Sequence, residues 1–200
     1  MSLLPYLEID RIEAGCDEVG RGCLCGPVVA AAVILPPDFA NEFINDSKKL
    51  SKANRVELVE TIKSNALAWA IAEASVEEID RINILNASFL AMTRAVMGLS
   101  MVPEHLLIDG NRFKSDLKIP FDCIIKGDGK FASIAAASIL AKVYRDDMMG
   151  RYALDYPGYG WETNVGYPTA AHREGIERLG VTLIHRKSFR LLPEQLELPF

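Results

Sequence analysis

Several features that would narrow a 200-residue chain at once are missing from this one. No stretch approaches the roughly 20 consecutive apolar residues of a bilayer-spanning helix. The opening residues, Met1 to Glu8, have neither the basic flank nor the long apolar core of a secretory signal. Four cysteines, Cys16, Cys23, Cys25 and Cys123, show neither zinc-ligand spacing nor the density of a disulfide framework. Three of them sit in or beside the first apolar segments, where they are expected to act as small apolar residues. Together these absences place the chain in the cytoplasm as an expectation. Positive charge is also short, since 27 acidic residues against 22 lysines and arginines give a net charge of −5. That argues against a protein that coats nucleic acid by bulk electrostatics. It leaves room for a local basic groove beside a metal-loaded site, because bound divalent cations invert the local charge. Internal repeats, low-complexity tracts and long linkers are absent as well, so residues 1–200 are expected to form one domain.

What is present is organised around Ala14-Gly15-Cys16-Asp17-Glu18-Val19-Gly20-Arg21-Gly22, continuing through Cys25-Gly26-Pro27 into the apolar run Val28–Leu35. Two adjacent carboxylates end a β-prone segment and meet a turn with glycine on both sides of an arginine. The pattern predicts a hairpin, with strands over 12–16 and 28–35, whose first strand carries charge into the middle of a sheet. Carboxylates there need a metal or another cation, because an unpaired buried charge is costly. Gly20 and Gly22 allow close approach of the backbone to a ligand, and exposed amides in such a turn suit an anionic or hydroxyl-bearing group.

Further along, Ser51 is placed to cap a helix running to about Lys63. Residues 67–74 read as a third strand, 75–78 as a turn, and Asn86–Leu99 as a core-facing helix with Phe89, Met92, Val96 and Leu99 on one face. Two short strands follow, 106–110 ending in Asp109 and 121–125 followed directly by Asp128. A helix rich in small residues starts at Phe131, and another starts at Pro168 and ends near Gly180. A hairpin followed by strand–helix alternation predicts an α/β fold, with a mixed sheet flanked by helices and a helical C-terminal region.

Asp17, Glu18, Asp109 and Asp128 therefore share one context, the end of a strand, where ligand sites of open α/β sheets gather. Such carboxylates repel one another unless cations intervene. Magnesium and manganese prefer oxygen ligands of this kind, and two of them together activate water against a phosphodiester.

Six blocks extend this pattern: Asp17-Glu18-Val19-Gly20-Arg21-Gly22, Asp46-Ser47-Lys48-Lys49-Leu50, Ile108-Asp109-Gly110-Asn111, Lys126-Gly127-Asp128, Ser133 through Val143, and Gly166-Tyr167-Pro168-Thr169 with His172. In this order, over almost the whole chain, they resemble bacterial type 2 ribonuclease H, the ribonuclease HII family. The resemblance implies a ribonuclease H-like fold and metal-dependent hydrolysis of RNA in RNA–DNA hybrids. It further implies incision 5′ to single ribonucleotides in duplex DNA, leaving 3′-hydroxyl and 5′-phosphate ends. Carried over by motif, Asp17, Glu18, Asp109 and Asp128 are the catalytic metal ligands for Mn2+ or Mg2+. Gly20, Arg21 and Gly22 read the ribose 2′-hydroxyl, which separates RNA from DNA. Tyr167 packs on the neighbouring deoxynucleotide sugar. Lys48, Lys49 and Ser133 are substrate contacts in the same reading, with solvated surface the alternative for the lysines and helix packing for Ser133. Ser138 is assigned to packing and His172 to structure, not to general-base work. Tyr156, Tyr159 and Trp161 are open between a base-stacking platform and core packing. His185–Arg190 is open between phosphate contact and solvated surface. The last six residues, Gln195–Phe200, are similar to the short peptides by which bacterial replication proteins bind the sliding clamp, with Leu and Phe side chains suited to an apolar groove. The protein is expected to work as a monomer.

Overall fold

A computed structural model describes residues 3–39, Ile44 and residues 52–192. Lys48, Lys49 and the tail Gln195–Phe200 lie outside the described residues. Five strands form one mixed sheet: β1 (Glu13–Val19), β2 (Val28–Ile34), β3 (Ala68–Ala74), β4 (His105–Asp109) and β5 (Phe121–Ile124), in the order β3-β2-β1-β4-β5. β1 pairs antiparallel with β2 and parallel with β4. It is the central strand, and it runs three residues past its expected end. Asp17, Glu18 and Val19 are all held in register opposite Ala31, Ala30 and Val29 of β2. The two carboxylates therefore belong to the strand itself.

The sheet is covered on both faces, and the sequence of β2, VVAAAVI, shows how. Strand side chains alternate faces. Val28, Ala30, Ala32 and Ile34 join one apolar cluster with helix α2 (Val76–Met97), while Val29, Ala31 and Val33 join another with α1 (Lys52–Asn65) and α3 (Ala132–Asp155). The small residues in the middle of β2 and in α3 (Ala135, Ala136, Ala137, Ala141) allow helix and sheet backbones to approach closely. Gly15 marks the tightest point, because a methyl group there would overlap the backbone of Ser133 and Ile134. The shorter α4 (Trp161–Asn164) and α5 (Ala170–Leu179) pack around a third cluster built on Tyr159, Trp161, Met149 and Ile176.

One expected element is corrected. Residues 75–78 are not a turn but the start of α2, ten residues before the anticipated Asn86. Ser75 caps the helix, its hydroxyl accepting from the Glu78 amide while the Glu78 carboxylate accepts from the Ser75 amide. This reciprocal pair is a capping box. At Asn83 the backbone leaves helical geometry (φ 67°, ψ 164°), which is why the periodic pattern is clear only beyond it.

Candidate active site

The C-terminal end of β1 carries Asp17 and Glu18, and the adjacent parallel end of β4 carries Asp109. Asp17 is 7% exposed, accepts a hydrogen bond from the Glu18 amide at 2.7 Å, and is hydrogen-bonded by Ser138 of α3. Burial pushes its pKa up to about 8, with the charges of Glu18 and Asp109 adding to the rise and the hydrogen bonds opposing it. Glu18 is shifted upward by the same burial, countered by an ion pair with Arg21 at 3.0 Å. Asp109 Oδ1 accepts from the Gly127 amide at 2.6 Å. Asp128 sits on a 3-10 turn, Gly127–Gly129, next to that amide and half-buried. Lys126 enters the turn in left-handed geometry (φ 56°).

Glu18 and Asp109 thus raise the proton affinity of Asp17, Asp109 also raises that of Glu18, and the set consists of hard oxygen donors. Among the described residues, no three His, Cys, Asp or Glu side chains are drawn together tightly enough to form a finished metal cage. The donor chemistry nevertheless fits a hard divalent cation, since such an ion would offset both the burial and the neighbouring charges that now favour the protonated form of Asp17.

Beside the carboxylates, Gly20 has φ +93° and lies directly on the Arg145 guanidinium, so a side chain there is excluded twice over. Gly22 is exposed, and a methyl group built on it would stand 3.8 Å from the Tyr167 ring. The structure therefore brings the glycine turn and Tyr167 together, and Tyr167 is itself 40% exposed. Ser133 does not join them. It is 3% exposed beneath Gly15, two strand positions behind Asp17, and its hydroxyl has no partner. Packing, not substrate contact, accounts for Ser133, and Ser138, expected to be mere packing, is the serine that touches Asp17.

Burial bears on two open questions and agrees with the structural assignment of His172. Trp161 and Tyr159 are buried and stacked 4.8 Å apart, so they do not form a base platform. His172 is fully buried and structural. Its Nε2 accepts from Trp161 Nε1 at 2.9 Å, and its Nδ1 lies 3.0 Å from the Tyr167 carbonyl. In the 185–190 segment His185 and Arg186 belong to the core, whereas Lys187, Ser188 and Arg190 are exposed.

A mixed sheet with helices on both faces and acidic residues at the ends of adjacent central strands defines a ribonuclease H-like α/β protein, and the solved structures it resembles share that fold. It superposes on ribonuclease H2 from Pyrococcus horikoshii OT3 with a TM-score of 0.75 at 22% identity, covering 90% of this chain and 94% of that one. The RNase HII chain solved in a PCNA:RNase HII complex from Archaeoglobus fulgidus gives 0.73 at 24% identity, covering 92% and 98%. Bst-RNase HIII in complex with Mn2+ gives 0.65 at 21% identity, covering 85% of this chain and 63% of that one. In sequence, the family model described as Ribonuclease HII matches residues 14–192. Ribonuclease HII of Parabacteroides distasonis is 63% identical over 198 residues, 99% of this chain and all of the relative. That of Bacteroides thetaiotaomicron is 61% identical over 199 residues, again 99% of this chain and all of the relative. The chain belongs to the ribonuclease HII family, and it is a ribonuclease H, a hydrolase.

Proposed function

We propose that this protein hydrolyses the RNA strand of RNA–DNA hybrids and incises 5′ to single ribonucleotides in duplex DNA, leaving a 3′-hydroxyl and a 5′-phosphate. One observation carries the reading: the Gly20–Gly22 turn and Tyr167 meet beside Asp17, Glu18 and Asp109. A sugar-recognising surface thus adjoins a carboxylate cluster suited to a cation. Asp17, Glu18, Asp109 and Asp128 would hold Mg2+ or Mn2+. Bound at such carboxylates, a pair of divalent ions would supply an activated water and charge stabilisation for the departing oxygen of the phosphodiester.

The chain's own residues do the rest. Asp17 is held at the end of β1 by hydrogen bonds from the Glu18 amide and Ser138. Asp109 is oriented by the Gly127 amide, which donates to its Oδ1. The exposed backbone of Gly22 allows a ribose close enough for its 2′-hydroxyl to be read, and the Tyr167 ring offers a flat apolar face to the neighbouring sugar.

The direct test compares three duplexes with Mn2+, Mg2+ or chelator: DNA with one ribonucleotide, all-DNA, and a long RNA–DNA hybrid. Metal-dependent incision 5′ to the lone ribonucleotide, with all-DNA intact, is the expected result. Failure of the single-ribonucleotide duplex alone would remove the incision reading and leave hybrid cleavage. The same proposal extends to the tail: Gln195–Phe200 binds the bacterial sliding clamp. Its support is the sequence itself and the Archaeoglobus fulgidus chain seen with PCNA. Equal clamp affinity of the full chain and of a version ending at Glu194 would refute that part.

A further inference from the structure

Two arginines outside the carboxylate cluster are completely buried, Arg145 of α3 and Arg186 of the C-terminal segment. Among the described residues, neither has a carboxylate within ion-pair distance. Buried arginine without an acidic partner is unusual, since removing a charge from water costs several kcal/mol that an ion pair would normally offset. Here backbone carbonyls take the place of the acid. Arg145 donates to the carbonyls of Pro27 (3.1 Å), Cys25 (3.0 Å) and Val165 (2.8 Å). Arg186 donates to those of Gly26 (2.9 Å), Arg21 (3.0 Å), Gly20 (2.7 Å) and Pro27 (3.3 Å).

The carbonyls are not scattered. Gly20 and Arg21 belong to the glycine turn, and Cys25, Gly26 and Pro27 close the same loop. Val165 stands two residues before Tyr167, in left-handed geometry (φ 44°) that a β-branched residue adopts only when its surroundings impose it. The two guanidinium groups share Pro27 and so form one continuous hydrogen-bonded body. Gly20 and Gly26 are required by it, because side chains at either position would run into Arg145 or Met149.

We infer that Arg145 and Arg186 are paired positioning residues that lock the Gly20–Gly22 turn to the Tyr167 loop and thereby set discrimination between ribose and deoxyribose. With the carbonyls of Gly20 and Arg21 engaged inside the protein, the turn has one arrangement in which to meet a sugar. The link from Arg145 to Val165 fixes how far Tyr167 stands from it. Two unneutralised cations directly behind this surface also favour a phosphate-bearing strand in front of it. This inference rests on the proposed substrate reading.

The test replaces each arginine by lysine, which keeps the charge but cannot span several carbonyls with a planar fork. Folding is followed by circular dichroism, and metal binding by the Mn2+-induced rise in melting temperature. Discrimination is followed by kcat and KM on matched duplexes with one ribonucleotide or with none, beside a long hybrid. Arg145→Lys and Arg186→Lys should fold and keep the Mn2+ response, yet lose about 100-fold in kcat/KM for single-ribonucleotide incision and so narrow its margin over the all-DNA duplex, the scale on which a displacement of about 1 Å acts. Folded lysine variants with wild-type kcat, KM and discrimination would overturn the inference. Hydrogen exchange on the unmodified protein needs no variant: amides of 20–27 and 165–167 should open together, and clearly separate protection would overturn the shared body. A wild-type protein that cleaves neither substrate would instead refute the substrate reading, and the exchange result would still decide the scaffold.

Discussion

Replacing Asp17 with asparagine should make the metal-free protein more stable while making it inactive. The Asp17 carboxyl is buried on the central strand, and its pKa rises from 3.8 to about 8 on folding, chiefly through burial. Between those values the folded chain holds a proton that the unfolded chain has released. Stability contributed by the protonated acid is therefore complete below pH 3.8 and is lost as pH rises towards 8. Each pH unit in that window costs about 1.4 kcal/mol. From 3.8 to 7 the full cost is about 4 kcal/mol, and coupling to Glu18 and Asp109 makes about 2–4 kcal/mol the fair expectation for one substitution. Asparagine keeps the shape and can still accept from the Glu18 amide without carrying charge. For a chain of this size the gain corresponds to roughly 5–15 °C in melting temperature. The assay is thermal or urea unfolding in chelator at several pH values between 4 and 8. The difference between Asp17→Asn and wild type should be near zero at pH 4 and grow steadily with pH. Added Mn2+ should then stabilise the wild type by mass action and leave the variant behind. A variant no more stable than wild type at pH 7 in chelator, or a difference that does not change with pH, would refute the reasoning.

Other consequences are equally direct. Asp109→Asn should abolish cleavage with the melting curve little changed, because the Gly127 amide keeps an oxygen to bond; turnover by the folded variant would remove Asp109 from the chemistry. Gly15→Ala should cost roughly 3 kcal/mol or more in urea unfolding, since the new methyl group meets the α3 backbone rather than a movable side chain. Gly22→Ala has ordinary contact distances and no strained backbone, so it should leave stability unchanged while lowering single-ribonucleotide incision; Gly20→Ala, by contrast, should destabilise the fold. His185, buried and 3.2 Å from His172, has its pKa pushed down to about 4, below its unfolded value of 6.5. The unfolded chain therefore binds the proton first, and stability should fall by about 3 kcal/mol as pH drops from 6.5 to 4. Urea midpoints across that range check it, and His185→Asn should flatten the slope.

The parts legible in the sequence were those whose signal is local. A strand that stops at Asp109, an Asp-Glu pair before a glycine turn and an alanine-rich segment each declare themselves within ten residues. The start of α2 was also written locally, as Ser75 and Glu78 at capping-box spacing, but two acidic residues after a serine read equally well as a turn. Ser133 and Ser138 could not be told apart by pattern. They are five positions apart on one helix, about 140° around it, and only the register of α3 against β1 decides which faces Asp17. Arg145 and Arg186 were illegible for a deeper reason. Their partners lie 118 to 166 residues away for all but the Val165 contact, and in sequence one arginine sits on a polar helix face and the other in a basic patch. A buried charge satisfied only by distant carbonyls leaves no periodic trace.

Both halves of the site hang from one helix. α3 lies alongside β1 and runs the same way: Ser133 lies against Gly15, Ser138 bonds Asp17, Arg145 underlies Gly20 and Met149 reaches Gly26. Strand and helix keep step by using different rises. From Gly15 to Asp17 the strand advances about 6.6 Å, and from Ser133 to Ser138 the helix advances about 7.5 Å. The next interval, from Asp17 to Gly20, is about 10 Å, matched by about 10.5 Å from Ser138 to Arg145. Carboxylate and turn are thus placed by a common spacer, and the close seat of α3 on Gly15 fixes where that spacer begins. A displacement of α3 cannot disturb the acidic cluster without also moving the arginine under the turn. That coupling gives the small residues of α3 a role beyond local packing: they hold the carboxylates and the glycine turn at one distance from each other.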